Sequence, residues 1–226
     1  MKEKKLYPIV ERWLKRHYKC FAAGNDKGLR GGGGRVDVVG FRDIGGDLSG
    51  EVESIAVEVK TDKTPFATAS RQTVGYRVYA NRVYLAVSRE KAFSPDEIAV
   101  AGHLGIGLIQ VRKGRCVEIL TSPYHVPIKR LNLLLMESLK LAHCQICDCV
   151  FPLGDPNKGG RWARENVSRK LMKAAESGRG YKFWNYEVGE RKGKAVGRRD
   201  GITYERRFIC GDCVYSLFRH CTRCER

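Results

Sequence analysis

Apolar residues recur along this chain at two different periods. Over residues 2–19, Leu6, Ile9, Val10, Trp13 and Leu14 fall on one side of a helix, because positions three and four apart share a face. Between Ser54 and Lys60 (SIAVEVK) the period is two. Ile55, Val57 and Val59 then point to one face of an extended strand, while Ala56, Glu58 and Lys60 point to the other. Arg35 to Phe41 (RVDVVGF) reads as a second strand, and the Gly-rich region Asp43 to Gly50 returns it antiparallel towards the first. Cys20 to Ala23 offers a short strand ahead of both. Arg82 to Val87 (RVYLAV) is a nearly continuous apolar run, typical of a strand buried on both faces. Phe66 to Ala80 reads as a helix. Ser94-Pro95-Asp96-Glu97 opens another, with Ser as cap, Pro in the first turn and acids at the positive end of the dipole. Gly105 to Val111 and Cys116 to Leu120 are strands around a turn at Lys113-Gly114. Ser122 to Pro127 (SPYHVP) is the expected domain boundary, its His125 an exposed spacer residue, and Lys129 to Ala142 an apolar helix leading onward. This alternation alone says α/β.

Composition narrows the picture. A chain of 226 residues accommodates two domains, and 42% hydrophobic residues suffice for a core. It carries 42 Lys and Arg against 25 Asp and Glu, a net charge of +17. Both sides of His143 are basic, which implies a polyanionic partner, nucleic acid above all; a charged surface serving only solubility is the plain alternative. Most of the nine cysteines fall in C-x-x-C pairs, which point to intracellular metal binding rather than to a secreted disulfide framework. No signal peptide and no apolar run of membrane-spanning length is visible. The expectation is a soluble, cytoplasmic protein with no membrane partner; a homodimer stays open.

Antiparallel pairing of the two central strands sets Asp37 beside Glu58 and Lys60. Two carboxylates at close range repel each other, and a hard divalent cation between them offsets the cost. An acid pair with a neighbouring lysine thus suits Mg²⁺ and phosphate, although a solvated charged strand is the other reading. The glycines of residues 24–35 are followed by no Gly-Lys-Ser/Thr, so they form no Walker A loop. With Lys27, Arg30 and Arg35 they suit close approach of a nucleic-acid backbone.

Asp37 followed by Glu58-Val59-Lys60 resembles the PD-(D/E)xK nuclease superfamily, with Val36 where the family name has Pro. Gln72-Thr-Val-Gly-Tyr76 looks like the Q-x-x-x-Y motif of its RecB-like branch, which shares its core with Holliday-junction-resolvase-like members. On a helix these two side chains share a face. The resemblance covers residues 1–121 and implies an αβββαβ restriction-endonuclease-like core. It further implies that Asp37 and Glu58 ligate Mg²⁺ or Mn²⁺ with the Val59 carbonyl, that Lys60 orients or activates the attacking water, and that Gln72 positions the strand. In many relatives a Glu of the first helix reaches the metal; Glu11 is the position that looks like it, or else a solvated flank charge.

Cys144-Gln-Ile-Cys147 and Cys210-Gly-Asp-Cys213 each present two sulfurs to one ion, and four thiolates make a closed, structural zinc site. Cys149, Cys221 and Cys224 suit a second zinc with His143 or His220; Cys210 and Cys213 pairing with Cys221 and Cys224, or a free or oxidised C-terminal pair, are alternatives. Cys20 and Cys116 read as core residues. A knuckle, a hairpin and a helix starting at the second pair resemble a treble-clef zinc finger. Residues 144–226 would thus be a smaller zinc-binding α+β domain, with 122–143 as linker and connecting helix. Between the knuckles Arg161, Arg164, Arg169, Lys170 and Lys173 alternate with Trp162, Tyr181, Phe183 and Trp184, a pattern suited to phosphates and unpaired bases. The expected activity is Mg²⁺-dependent hydrolysis of DNA phosphodiester bonds, most naturally as an endonuclease, with the zinc domain binding DNA. Repair, junction-resolving, restriction and strand-trimming nucleases all share these features. A non-catalytic nucleic-acid-binding zinc protein on a nuclease-like fold is the alternative.

Overall fold

The structure, a computed structural model, describes residues 3–28, 34–45, 51–143, 150–152, 190–191 and 194–195. The chain divides into two compact units, Met1–Leu139 and Lys140–Arg226.

The first unit is a mixed α/β fold. A 3-10 turn at Glu3–Lys5 leads into α1 (Tyr7–His17), then β1 (Ala22–Gly28), β2 (Arg35–Asp43) and β3 (Val52–Thr61). Next come α2 (Phe66–Gly75) with a 3-10 turn at Tyr76–Val78, β4 (Arg82–Ser88), α3 (Pro95–His103), β5 (Gly107–Arg112), β6 (Arg115–Leu120) and α4 (Lys129–Ser138). The six strands form one sheet in chain order. Its β1/β2, β2/β3 and β5/β6 pairs are antiparallel, whereas β3/β4 and β4/β5 are parallel. Parallel neighbours need crossovers, and α2 and α3 provide them.

Leu6 at the cap of α1 and Tyr7, Val10 and Leu14 on it pack with Val38, Ile55, Val57, Val59, Tyr84 and Ala86 of the sheet. Each large apolar side chain buried there is worth about 1.5–3 kcal/mol. Gly40 lets α1 lie close, since a Cβ at that position would sit 2.8 Å from Cys20 Sγ and 3.2 Å from Leu14 Cδ1. Ser94 caps α3, as the sequence expects, and Glu97 makes the cap a reciprocal box.

Several elements differ from expectation. Strand β1 runs on through Gly24–Gly28, expected as loop, because pairing with β2 satisfies its backbone in spite of its polar sequence. Helix α4 ends at Ser138, short of the expected Ala142. Lys140 there takes a left-handed φ of +58°, which breaks the helix. Residues 122–139, expected as linker and connecting helix, are part of the first unit: Ser122 is fully buried, Asn132 Nδ2 donates to Ser54 Oγ at 2.6 Å, and the expected spacer His125 is half-buried, 2.7 Å from the Gly105 carbonyl.

Strand β3 is also buried on both faces rather than one. Glu53 is only 1% exposed and accepts from Arg42 Nε at 2.5 Å and Arg82 Nε at 2.7 Å, joining β2, β3 and β4. Removing one member of such a set strands the others' charge. Glu53→Ala should therefore cost about 3 kcal/mol in denaturant unfolding; a loss under about 1 kcal/mol would mean that water replaces the carboxylate.

In the second unit β7 (Leu141–His143) pairs with β8 (Val150–Pro152), and β9 (Glu190–Arg191) with β10 (Lys194–Ala195). Cys144, Cys147, Cys149, Cys210, Cys213, Cys221 and Cys224 lie outside the described residues, as does the basic and aromatic stretch 161–186. Cys20 is buried and Cys116 half-buried, and burial pushes both thiols up to about 12, as suits unreactive packing residues. Among the described residues no helix is long and apolar enough to cross a membrane.

Candidate active site

Pairing of Val38 with Val57 and Val39 with Ala56 sets the register of β2 against β3. Carried one step further, it places Asp37 across from Glu58. Since Val57 and Val59 face α1, the pleat turns Glu58 and Lys60 to the other face of the sheet. Asp37 Oδ2 accepts the Val59 N–H at 2.9 Å, which ties the first acid to the strand that carries the second. Glu58 is 4% exposed, and its Oε1 lies 2.6 Å from Lys60 Nζ. Its Oε2 accepts the Tyr76 hydroxyl, which also lies 3.0 Å from the Arg35 carbonyl. Asp37 Oδ1 accepts the Tyr7 hydroxyl at 2.7 Å. Among the described residues each carboxylate is thus held by two donors, one of them a tyrosine.

The electrostatics follow from that packing. Burial, reinforced by the Glu58 charge, raises the Asp37 pKa in spite of the donors from Val59 and Tyr7. Burial opposes the Lys60 ammonium, yet its hydrogen bond to Glu58 and the surrounding acids hold its pKa above the ordinary value. Burial and then Glu58 raise the Tyr76 phenol, and burial and then Asp37 raise that of Tyr7, so both stay protonated donors.

The other expected residues divide. Tyr76 reaches Glu58, but Gln72, one turn earlier, is exposed and makes no hydrogen bond among the described residues. Glu11 does not meet the acid pair: Asn25 Nδ2 and Lys15 Nζ hold it at 2.6 and 2.7 Å. The acid from the N-terminal segment that approaches is Glu3, 3.9 Å from Lys60 Nζ. Asp26 lies across from Asp37, between the β1/β2 pairs Asn25 with Val38 and Lys27 with Val36, and pairs with Arg35 at 2.7 Å and Lys4 at 3.4 Å. Tyr7 and Glu3 are the residues that sequence reasoning passed over. Tyr7 sits one helical turn before Glu11 on the same apolar stripe, where an aromatic reads as packing.

The donor set fits a hard cation. Ionised Asp37 and Glu58 offer about four lone-pair sites each, and the donors named above leave both oxygens of each able to accept again. Both backbone groups of a strand residue point to one side, so the Val59 carbonyl faces the β2 side, past the last ladder pair of that hairpin. Among the described residues no three His, Cys, Asp or Glu side chains gather as in a closed cage. Magnesium does not need one, because it commonly binds through one or two carboxylates and keeps several waters.

No family model matches the chain, and no curated protein matches it. A solved protein of unknown function from Silicibacter pomeroyi is similar in structure, with a TM-score of 0.45 and 17% identity, covering 80% of this chain and 96% of that one. A likeness so distant says nothing about what this chain does.

Proposed function

We propose that this protein is a metal-dependent deoxyribonuclease of the PD-(D/E)xK kind, with a zinc-stabilised C-terminal domain that binds DNA. The observation that carries the reading is the juxtaposition of Asp37 and Glu58 on adjacent strands with Lys60 against Glu58. A bound Mg²⁺ or Mn²⁺ would polarise the phosphodiester and make an attacking water more acidic. Asp37 and Glu58 would hold the ion with the Val59 carbonyl. Lys60, kept as an ammonium, donates to the attacking water or to a phosphate oxygen and offsets developing negative charge. Tyr76 fixes Glu58, and exposed Gln72 is available to the DNA strand. Cys144, Cys147, Cys210 and Cys213, which lie outside the described residues, would hold the structural zinc, and the net charge of +17 suits a polyanion.

The test is a cleavage panel of labelled duplex, forked, junction and single-stranded DNA, with and without Mg²⁺ or Mn²⁺, on protein whose zinc content has been measured. Metal-dependent cutting of at least one substrate is expected, with zinc bound to the chain. Absence of cutting on every substrate would leave a nucleic-acid-binding protein on this scaffold.

A further inference from the structure

Among the described residues two phenols touch the acid pair, and only Tyr76 belongs to the Gln72–Tyr76 pattern. The other comes from α1, whose acid Glu11 is engaged elsewhere. We infer that Tyr7 is a positioning residue for the cation: it fixes the Asp37 carboxylate in the orientation that binds metal, so that α1 belongs to the metal site without supplying a ligand. This rests on the nuclease reading above.

The argument is one of torsions and lone pairs. The terminal torsion of an aspartate is broad, so one hydrogen bond leaves the carboxylate free to turn about it. Val59 N–H holds Oδ2 at 2.9 Å, and Tyr7 holds Oδ1 at 2.7 Å, which together set the plane of the group. Each oxygen keeps a second lone-pair site. Tyr7 is 7% exposed and belongs to the apolar cluster that also holds Val10 and Val38, so packing rather than solvent sets where its hydroxyl lies. Hydrogen bonds from such outer residues orient ligating carboxylates, and losing one typically weakens metal binding about 10–100-fold. The bland alternative is that a buried phenol simply needs an acceptor and found Asp37. In that case its loss alters folding stability and leaves the metal alone.

The experiment is a titration of the full chain with Mn²⁺ in the absence of DNA, reading free ion by electron paramagnetic resonance. Wild type, Tyr7→Phe and Asp37→Ala are compared, and a thermal melt of each confirms folding. Asp37→Ala defines binding elsewhere on the chain. Tyr7→Phe is expected to weaken the Asp37-dependent site about tenfold in a folded protein. A loss smaller than about threefold, or tighter binding, overturns the inference while leaving the nuclease reading intact. If wild type binds no more Mn²⁺ than Asp37→Ala, the metal site itself fails and takes the inference with it. Should Tyr7→Phe not fold, Tyr7→Met, which also lacks the donor but adapts its shape, is read by the same criterion.

Discussion

Asp37→Ala is expected to lower DNA cleavage by at least about a thousandfold while leaving DNA affinity unchanged or slightly improved. On the nuclease reading the carboxylate would hold the ion, and removing it would also take a negative charge from a surface that would meet phosphates. Lys60→Ala should abolish turnover as well, yet Mn²⁺ should still bind, because an ammonium is not a ligand. That contrast separates the metal's holder from the group beside the reaction. Normal cleavage by both variants would remove the site from this part of the sheet. Stability should move the other way. Burial and the Glu58 charge raise the Asp37 pKa in the folded chain, so the folded state binds that proton more tightly than the unfolded state does. Ionised Asp37 therefore destabilises the fold at neutral pH, and the penalty fades as pH falls through the folded-state pKa. Asp37→Asn should melt higher than wild type at pH 7 without added metal, with a gap that narrows in acid. An Asn can still take the Val59 N–H on its oxygen and donate to the Tyr7 oxygen.

A chain ending at Thr121 should fail to fold, whereas one ending at Leu139 should fold cooperatively. Ser122 is fully buried; its Oγ accepts the Val83 N–H at 3.0 Å, and its carbonyl accepts from Arg82. Asn132 bonds to Ser54 and to the Tyr79 carbonyl, and Leu135 is fully buried. Loss of a buried leucine alone costs about 2–5 kcal/mol, and each polar group orphaned in the interior adds about 1–3 kcal/mol. Together these approach the whole stability of a typical domain, about 5–15 kcal/mol. Circular dichroism melts of the two shortened chains decide the matter. A cooperative melt of the shorter chain at the temperature of the longer would show residues 122–139 to be dispensable.

How far the sequence speaks differs from element to element. The α1 stripe, the apolar run of β4 and the capped start of α3 were legible because each is decided by neighbours in the chain. Strand β1 was not, since its AAGNDKG sequence has neither alternation nor apolar content, and only its pairing with distant β2 makes it a strand. The end of α4 was hidden for a related reason: nothing local forces Lys140 into a left-handed backbone, but the start of β7 follows at once. The meeting of Asp37 with Glu58 could be read because a turn between two patterned strands fixes their register. What surrounds that meeting could not. Tyr7, Glu3 and Asp26 arrive from the N-terminal segment and β1, and the buried pairing of Glu53 with two arginines looks, in one dimension, like an ordinary charged strand.

Strand β3 joins an antiparallel neighbour to a parallel one, and that placement has a kinetic consequence. Closing a loop costs more entropy as the loop lengthens, and contacts close in sequence form first. The β2–β3 hairpin closes over residues 44–51, whereas β3 can meet β4 only after residues 62–81 have crossed over as α2. Asp37 and Glu58 both lie on the hairpin, so the mutual repulsion of the acids falls on the earliest pairing to form, before Tyr76 arrives to brace Glu58. Neutralising Asp37 should then hasten refolding more than it slows unfolding, and stopped-flow rates measured on either side of the denaturation midpoint would reveal the asymmetry.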